Sequence, residues 1–218
     1  MPSLALFPLG TTLLPGQQLP LQVFESRYLA LLDAIVAGGP DDAHEGGFGV
    51  VAIRHGYEVG DRANELHGVG CFAAIDRIVH AADGLYFVLA HGTRRFRLDG
   101  VDAAAGTPWT TGSVTWLAEQ EGDEGRIPEL AFRLRQAVQA HTEALGVADL
   151  PAPSTPAALP YWAAEAVDLG AVDRQVLLDA PDTSSRLVIA LRLVLRESSL
   201  ASSLGVTAGP AAAPPNLN

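Results

Sequence analysis

The sequence predicts an α+β fold, in which a small closed or partly closed β-barrel with one short helix precedes a group of helices. The first half of the 218 residues contains about seven short segments rich in branched and aromatic residues, separated by regular turn signals. In the second half, apolar residues recur at helical spacing instead. Hydrophobic residues make up 48% of the chain, so it can bury a core of ordinary size.

The strand segments of the first half are short, apolar and bounded by turn residues. They are expected at residues 3–8, 18–24, 48–54, 69–80, 85–91, 94–101 and 109–117. Pro20 predicts that the second strand lies at an edge or contains a bulge, because proline cannot donate a ladder hydrogen bond. The Ala-Asp-Gly sequence at 82–84 predicts a hairpin turn, and the polar stretch 56–66 predicts a loop without regular structure.

One helix is expected among these strands, from Ser26 as its capping residue to about Val36. The others are expected at about 128–145, from Ser154 or Thr155 to Val167, at 173–178, and from the cap Asp182 to about 204. Acidic residues between 119 and 124 indicate a solvated linker. We therefore predict a barrel domain at 1–118, a helical domain at 119–205 and a disordered, Ala- and Pro-rich tail at 206–218.

The charge and the single cysteine argue against several classes of protein. A formal charge of −11 opposes binding to phosphate backbones, so nucleic-acid binding would need a segregated basic face. Cys71 alone cannot form an internal disulfide, which gives secretion no support. The N-terminal segment lacks the features of a signal peptide, and no stretch has the ~18 uncharged apolar residues of a transmembrane helix. A cytoplasmic protein that does not bind a membrane is expected.

No constellation of residues predicts catalysis, a cofactor or a metal. The six histidines lack metal-ligand spacing; the nearest candidate pair is His67 with Cys71, on one face of a strand. Cys71 lies in the middle of an apolar strand, which indicates a buried and inert thiol. The chain has no Gly-x-Ser-x-Gly elbow, and Ser198 and Ser202 of the last helix are expected to face solvent.

The arginines around Phe96 have two interpretations. Arg94, Arg95 and Arg97 could form a basic strip with an aromatic residue for binding RNA. They could instead form ion pairs on the surface of the barrel, which is the interpretation that an acidic chain favours.

Glu25 and Arg27 bracket the junction between the second strand and the first helix. They could present a charged rim to a partner. They could instead be structural, with Glu25 accepting main-chain N–H bonds at the start of the helix and Arg27 paired to Glu25 or to the barrel. The sequence favours the structural interpretation.

Several motifs follow one another in an informative order. They are 6–10 (LFPLG), 19–28 (LPLQVFESRY), 69–73 (VGCFA), 92–96 (GTRRF) and 182–187 (DTSSRL). Together they resemble the N-terminal domain of Lon proteases, the substrate-recognition module of that family. The resemblance covers residues 4–204 and implies a PUA-like β pseudobarrel followed by a C-terminal helical bundle.

Full Lon proteases continue into an ATPase module and a Ser-Lys peptidase, but this chain contains no lysine. A Walker A loop needs a lysine to reach the phosphates of ATP, and a Ser-Lys dyad needs one as its base. The resemblance therefore implies a stand-alone, non-catalytic member of the family.

The leading hypothesis is a Lon-type recognition protein that binds polypeptide clients, or a protease or chaperone partner, in proteolysis or quality control. Apolar client segments are expected to dock between barrel and helical bundle, with Tyr57, Tyr161 and Trp162 as aromatic anchors. Two alternatives stay open: RNA or nucleotide binding by a PUA-like barrel, and a small-molecule-binding barrel with a deep polar pocket.

Overall fold

The computed structural model describes residues 2–38, 46–55, 65–81, 84–102, 105–147 and 150–205. Contacts divide the chain into two compact units. The first unit comprises Met1–Ala118 with Ala171–Asp179, and the second comprises Glu119–Gly170 with Ala180–Asn218. The sequence assigns all of 119–205 to one helical domain, whereas the helix at Ala171–Asp179 belongs to the unit that contains the strands. The expected tail, 206–218, lies outside the described residues.

The order of strands and helices follows the sequence prediction, and the α+β class is confirmed. The strands are β1 (Ser3–Leu9), β2 (Gln18–Val23), β3 (Gly47–His55), β4 (Glu65–Leu66), β5 (Val69–His80), β6 (Tyr86–Val101) and β7 (Thr110–Trp116). The helices are α1 (Ser26–Ala37), α2 (Ile127–Leu145), α3 (Leu159–Ala166), α4 (Ala171–Asp179) and α5 (Thr183–Ser203).

Two strands differ from the sequence prediction. β6 is one strand of 16 residues, where the sequence predicts a break near Gly92. This glycine does not interrupt the strand; it lets the backbone of Leu14 approach closely, where a Cβ atom would collide with the Leu14 carbonyl. β4 lies at the end of the predicted loop 56–66, of which residues 56–64 lie outside the described part of the chain.

The strand pairing of the first unit closes a pseudobarrel. β1 pairs antiparallel with β7 and parallel with β3, and β6 and β5 complete the ring between them. The buried side chains that fill the ring are Leu4, Leu6, Val51, Phe72, Phe96 and Val114. Trp116 closes this core, with its ring edge-on to Phe72 and Phe96.

Helix α1 is held against the first unit by aromatic and polar contacts. The rings of Phe7 and Tyr28 stack with their centroids 3.9 Å apart, and Phe48 lies 5.3 Å from Phe7. On the other side of the helix, the hydroxyl of Tyr86 donates to the carboxylate of Asp33 at 2.6 Å. α1 therefore has a fixed position next to the end of β2.

Helix α4 is joined to the strands by buried polar side chains. Gln175 donates from Nε2 to the carbonyl of Val69 at 3.0 Å and accepts from the hydroxyl of Thr12 at 3.0 Å. Arg95, which the sequence places on the barrel surface, is instead almost completely buried and donates to the carbonyl of Leu178 at 2.9 Å. A cation is favourable at the C-terminal carbonyls of a helix, so α4 supplies the partner that lets this arginine be buried.

Helices α2, α3 and α5 form the core of the second unit. Their fully buried residues include Leu134, Val138, Leu159, Leu187, Ala190 and Val194. Asp182 caps α5 as expected, because its carboxylate accepts the N–H of Ser185 at 2.7 Å, and this bond lowers the pKa of Asp182. Arg186 is completely buried and pairs with Glu119 at 2.9 Å. None of the helices in the described ranges is long and apolar enough to cross a membrane.

Candidate functional site

Strand β2 forms an edge of the sheet, because it pairs with β6 and with no other strand in the described part of the chain. The register places Gln18 opposite His91 and Val23 opposite Tyr86. Pro20 lies in the middle of this strand, so the edge position that the sequence predicts from the proline is confirmed.

Hydrogen bonding shows which main-chain groups of β2 point away from β6. The N–H of Gly92 donates to the carbonyl of Gln17 at 2.9 Å, and the carbonyl of Gly92 accepts from the N–H of Gly16 at 2.8 Å, so the carbonyl of Gln17 points toward β6. Residues that bond to the same neighbouring strand recur at every second position of an antiparallel ladder, so the odd-numbered residues of β2 bond to β6. The outward groups are therefore the N–H and C=O of Gln18 and Gln22 and the C=O of Pro20.

The face of the sheet beside this edge is apolar and open. Phe87 and Val79 lie opposite each other in the register of β5 and β6, and they are 47% and 50% exposed. They border a depression of about 370 Å³ that we call the outer depression. Its other lining residues are Pro20, Leu21, Gln22, Arg77, Val88 and Leu89. A concave apolar surface with a few polar groups is typical of a binding site.

A second depression borders β2 from the side of β1. β7 pairs with residues 3–6 of β1, so residues 7–9 have one edge that pairs with no strand in the described residues. The space beside them, about 180 Å³, is called the inner depression. Its apolar lining residues are Phe7, Pro8, Leu9, Leu21, Val23, Phe24 and Tyr28. Phe24 is more than half exposed, so this space also offers apolar surface to a partner.

Glu25 and Arg27 lie at the end of β2 and form an ion pair of 2.9 Å. The Arg27 guanidinium also lies 4.6 Å from the centroid of the Tyr28 ring. The Glu25 carboxylate makes no capping bond; its main-chain carbonyl accepts the N–H of Tyr28 at 3.0 Å. Ser26, the expected cap, is the first helical residue instead. The ion pair borders an open depression of about 390 Å³, so it is both structurally fixed and accessible.

The aromatic residues expected as anchors lie elsewhere. Tyr57 is outside the described residues. Tyr161 is buried in the second unit, where the Arg186 guanidinium lies 5.0 Å from its ring centroid. Trp162 is half-buried and donates from Nε1 to the carbonyl of Leu150 at 3.0 Å. Both described rings thus have structural contacts within the second unit, and their role as anchors stays a prediction.

The sequence does not single out Phe87 or Val79. Residues 85–91 are apolar at both alternating sets of positions, with Phe87 and Leu89 on one face and Val88 and Ala90 on the other. Period-2 patterning therefore cannot show which face is open. The available signal is Pro20, which predicts that β2 lies at an edge or contains a bulge.

Three other polar residues of the first unit, Cys71, Arg94 and Arg97, have structural surroundings. Cys71 is buried, as the sequence predicts, and this burial raises its pKa to about 12, which disfavours the reactive thiolate. The Arg94 guanidinium lies 3.7 Å from the centroid of a Trp116 ring, and Arg97 pairs with Asp99 at 2.8 Å. Among the described residues, no group of three or more His, Cys, Asp or Glu side chains could hold a metal ion.

Ser198 of the second unit differs from its predicted exposure. It is half-buried, and its Oγ lies 3.0 Å from Nδ1 of the buried His141. The hydroxyl donates its proton to the carbonyl of Val194 at 2.9 Å, so that His141 is the donor in the other bond. A serine whose proton is bonded to the helix backbone in this way is not activated by the histidine.

Comparisons with known proteins agree with this architecture. The family model of the ATP-dependent protease La (LON) substrate-binding domain matches residues 3–196. Lon protease 2 of Syntrophobacter fumaroxidans is 27% identical over 195 residues, which are 84% of this chain and 23% of that protein. The Lon protease of Flavobacterium johnsoniae is 29% identical over 123 residues, 56% of this chain and 14% of that protein. The chain thus spans less than a quarter of the length of these curated relatives.

Two solved structures are similar over most of the chain. The Lon N-terminal domain protein from Xanthomonas campestris has 27% sequence identity and a TM-score of 0.62, over 88% of this chain and 98% of that one. The N-terminal domain of the Mycobacterium avium complex Lon protease has 22% identity and a TM-score of 0.62, over 90% and 98%. The second similarity supports the fold alone.

Proposed function

Because this chain belongs to the family of substrate-binding domains of the ATP-dependent protease La (LON), we propose that it binds polypeptide segments and does not transform them. The binding surface is the outer depression together with the edge of β2. The observation that carries this proposal is the exposure of Phe87 and Val79, side by side in a concave apolar face.

The composition of the outer depression suits an apolar polypeptide segment. Covering Phe87 and Val79 removes apolar surface from water, which contributes about 25 cal/mol per Å². The rim of this face is polar: Gln22 and Arg77 line the depression. Nδ1 of His91, the residue opposite Gln18, lies 2.8 Å from the carboxylate of Asp76. An apolar centre within a polar rim is the usual anatomy of a protein-binding surface.

The charges favour a polypeptide over RNA. The net charge of −11 repels a phosphate backbone. Arg95 is buried against α4, Arg94 lies over Trp116 and Arg97 is paired with Asp99. These arginines therefore do not supply the basic strip that the RNA alternative needs.

The cellular role that fits this surface is the recognition of clients for proteolysis or quality control. None of the 218 residues is a lysine. They therefore include neither the lysine of a Walker A loop nor the lysine base of a Ser-Lys dyad. A protease or chaperone partner that receives the client is accordingly part of the proposal.

The test measures the affinity of the full chain for an unfolded polypeptide, reduced and carboxymethylated lactalbumin, by fluorescence anisotropy. We expect Phe87→Ser to weaken binding at least about fivefold, because a half-buried aromatic anchor contributes on the order of 1 kcal/mol or more. The matched control is Phe132→Ser, which removes a phenylalanine of α2 that is 61% exposed. This control should leave the affinity within about twofold.

Equal affinities of the wild type and Phe87→Ser would contradict the assignment of the site. Equal losses of affinity in Phe87→Ser and Phe132→Ser would contradict it as well, because they would indicate non-specific binding to exposed apolar residues. Far-UV circular dichroism of both variants verifies that they are folded.

A further inference from the structure

We propose that the client segment binds as an additional β-strand on the outward edge of β2, with alternate side chains in the outer and inner depressions. This inference rests on the proposed function, since it gives the conformation of the segment that the same site binds. The occupant is an extended polypeptide with apolar side chains on both faces and an acidic residue near Arg77.

The main chain of β2 provides the hydrogen bonds. The outward N–H and C=O of Gln18 and Gln22 and the outward C=O of Pro20 have no hydrogen bond to another residue in the described ranges. A strand laid along this edge carries the complementary alternation of N–H and C=O groups. Pro20 has no main-chain N–H, so the edge offers one hydrogen bond fewer, but the carbonyl of Pro20 can still accept one.

The two depressions meet at this edge: Leu21 and Gln22 line both, whereas Pro20 lines only the outer depression and Val23 only the inner one. Successive side chains of a strand point to opposite faces. Pro20 and Gln22 of β2 are exposed on the side of the outer depression, and Leu19 and Val23 are buried on the other. A strand added next to β2 therefore directs its side chains alternately into about 370 Å³ and about 180 Å³ of space.

A helical client fits this arrangement less well. The N–H and C=O groups along a helix are bonded within the helix. A helix could cover the outer depression, but it would leave the outward groups of β2 without partners and the inner depression empty. An extended segment can bond to the outward groups of β2 and place side chains in both depressions at once.

Arg77 gives the site a charge preference. It is exposed at the outer depression and forms no ion pair with another described residue. The neighbouring carboxylate of Asp76 is paired with His91 at 2.8 Å instead. An acidic client side chain near Arg77 adds a modest attraction at this exposed position and steers the client toward the site.

The experiment uses the full chain and three fluorescent peptides of one sequence. The sequence alternates leucine and valine around a central glutamate, with serines at both ends. The first peptide is unmodified; the second and third are N-methylated at alternate amides, one at the odd and the other at the even positions. Because only one set of amides can face β2, we expect one methylated peptide to lose at least about tenfold in affinity. The other should stay within about twofold of the unmodified peptide.

The two methylated peptides control for each other, since both carry the same number of methyl groups in the same sequence. Equal affinities of these two peptides, whether unchanged or lost together, would overturn strand addition. If the peptides bind equally and binding still depends on Phe87, strand addition fails while the proposed function stands. If neither the unmodified peptide nor the unfolded polypeptide binds, the proposed function itself fails.

Discussion

The two halves of strand β6 have the same local structure and opposite surroundings. Residues 96–101 pair with β7, which in turn pairs with β1 and closes the ring. Residues 86–91 pair with β2, which has no further partner strand in the described part of the chain. Phe96 lies in the core of the ring and is 0% exposed, whereas Phe87 borders the outer depression and is 47% exposed. Val88 and Ala90 of the open half are buried as well, so Phe87 is available to a partner because of the face on which it lies, beside the edge where the sheet ends.

The largest effect should come from truncating one phenylalanine in each half. Phe96→Ala removes a completely buried ring from the barrel core, which should lower the free energy of unfolding by about 3–5 kcal/mol. Phe87→Ala removes a half-exposed ring, and we expect a loss below about 1 kcal/mol. Urea denaturation measures both values. Similar losses for the two variants would show that Phe87 is as much a part of the core as Phe96.

Two glycines of β6 offer a second contrast: Gly92, which lies between the two halves, and Gly100 near the end of the strand. A Cβ atom at Gly92 would meet the carbonyl of Leu14 and lie 3.1 Å from Sγ of Cys71. Gly92→Ala should therefore destabilise the fold by about 1–3 kcal/mol. Gly100 of the same strand has no atom within 4 Å of such a Cβ, so Gly100→Ala should change stability by less than about 1 kcal/mol. Thermal denaturation that ranks the two in the opposite order would contradict this packing.

The exclusion of water from the barrel core can be tested at Cys71 of β5, which lies opposite Arg95 in the register of β5 and β6. Burial raises its pKa from 9.0 to about 12, so the unfolded state loses its thiol proton first as the pH rises. The resulting stability is fully present below pH 9.0 and is lost as the pH rises toward 12. Between these limits the free energy of unfolding should fall by up to about 1.4 kcal/mol per pH unit more steeply in the wild type than in Cys71→Ala. Parallel pH profiles would indicate that the thiol is hydrated.

The smallest effect is expected at the open end of β2. Glu25 and Arg27 form an ion pair in which both side chains are partly exposed, so their coupling should be below about 1 kcal/mol. A double-mutant cycle with Glu25→Gln and Arg27→Gln measures it through urea denaturation. A coupling of several kcal/mol would mean that the pair is a structural element as important as the buried Arg95.

The sequence is most informative where a residue's chemistry restricts its position. Pro20 predicts an edge strand, because proline has no main-chain N–H to donate within a sheet. Asp182 predicts a helix cap, because its short carboxylate side chain can accept a main-chain N–H at the start of a helix. Arg95 is misplaced by sequence reasoning because its partner, the carbonyl of Leu178, lies 83 positions away along the chain.

Phe87 and Phe96 illustrate the limit for the candidate site. Both are phenylalanines in apolar strand segments, and local patterning gives them the same expected burial. They differ because Phe96 lies on the face of β6 that fills the ring, whereas Phe87 lies on the face that borders the outer depression beside the edge strand β2. That difference is a property of long-range pairing, which a single sequence does not display.

The most direct test of the central claim is amide hydrogen exchange of the full chain, resolved by residue, with and without the unmodified peptide. In the protein alone, the outward N–H groups of Gln18 and Gln22 should exchange rapidly, because they bond to no residue in the described ranges. With the peptide bound, both should slow at least about tenfold, while the amides of α2 and α5 remain unchanged. Protection of the helices with no change at Gln18 and Gln22 would contradict the assignment of the binding site to the edge of β2.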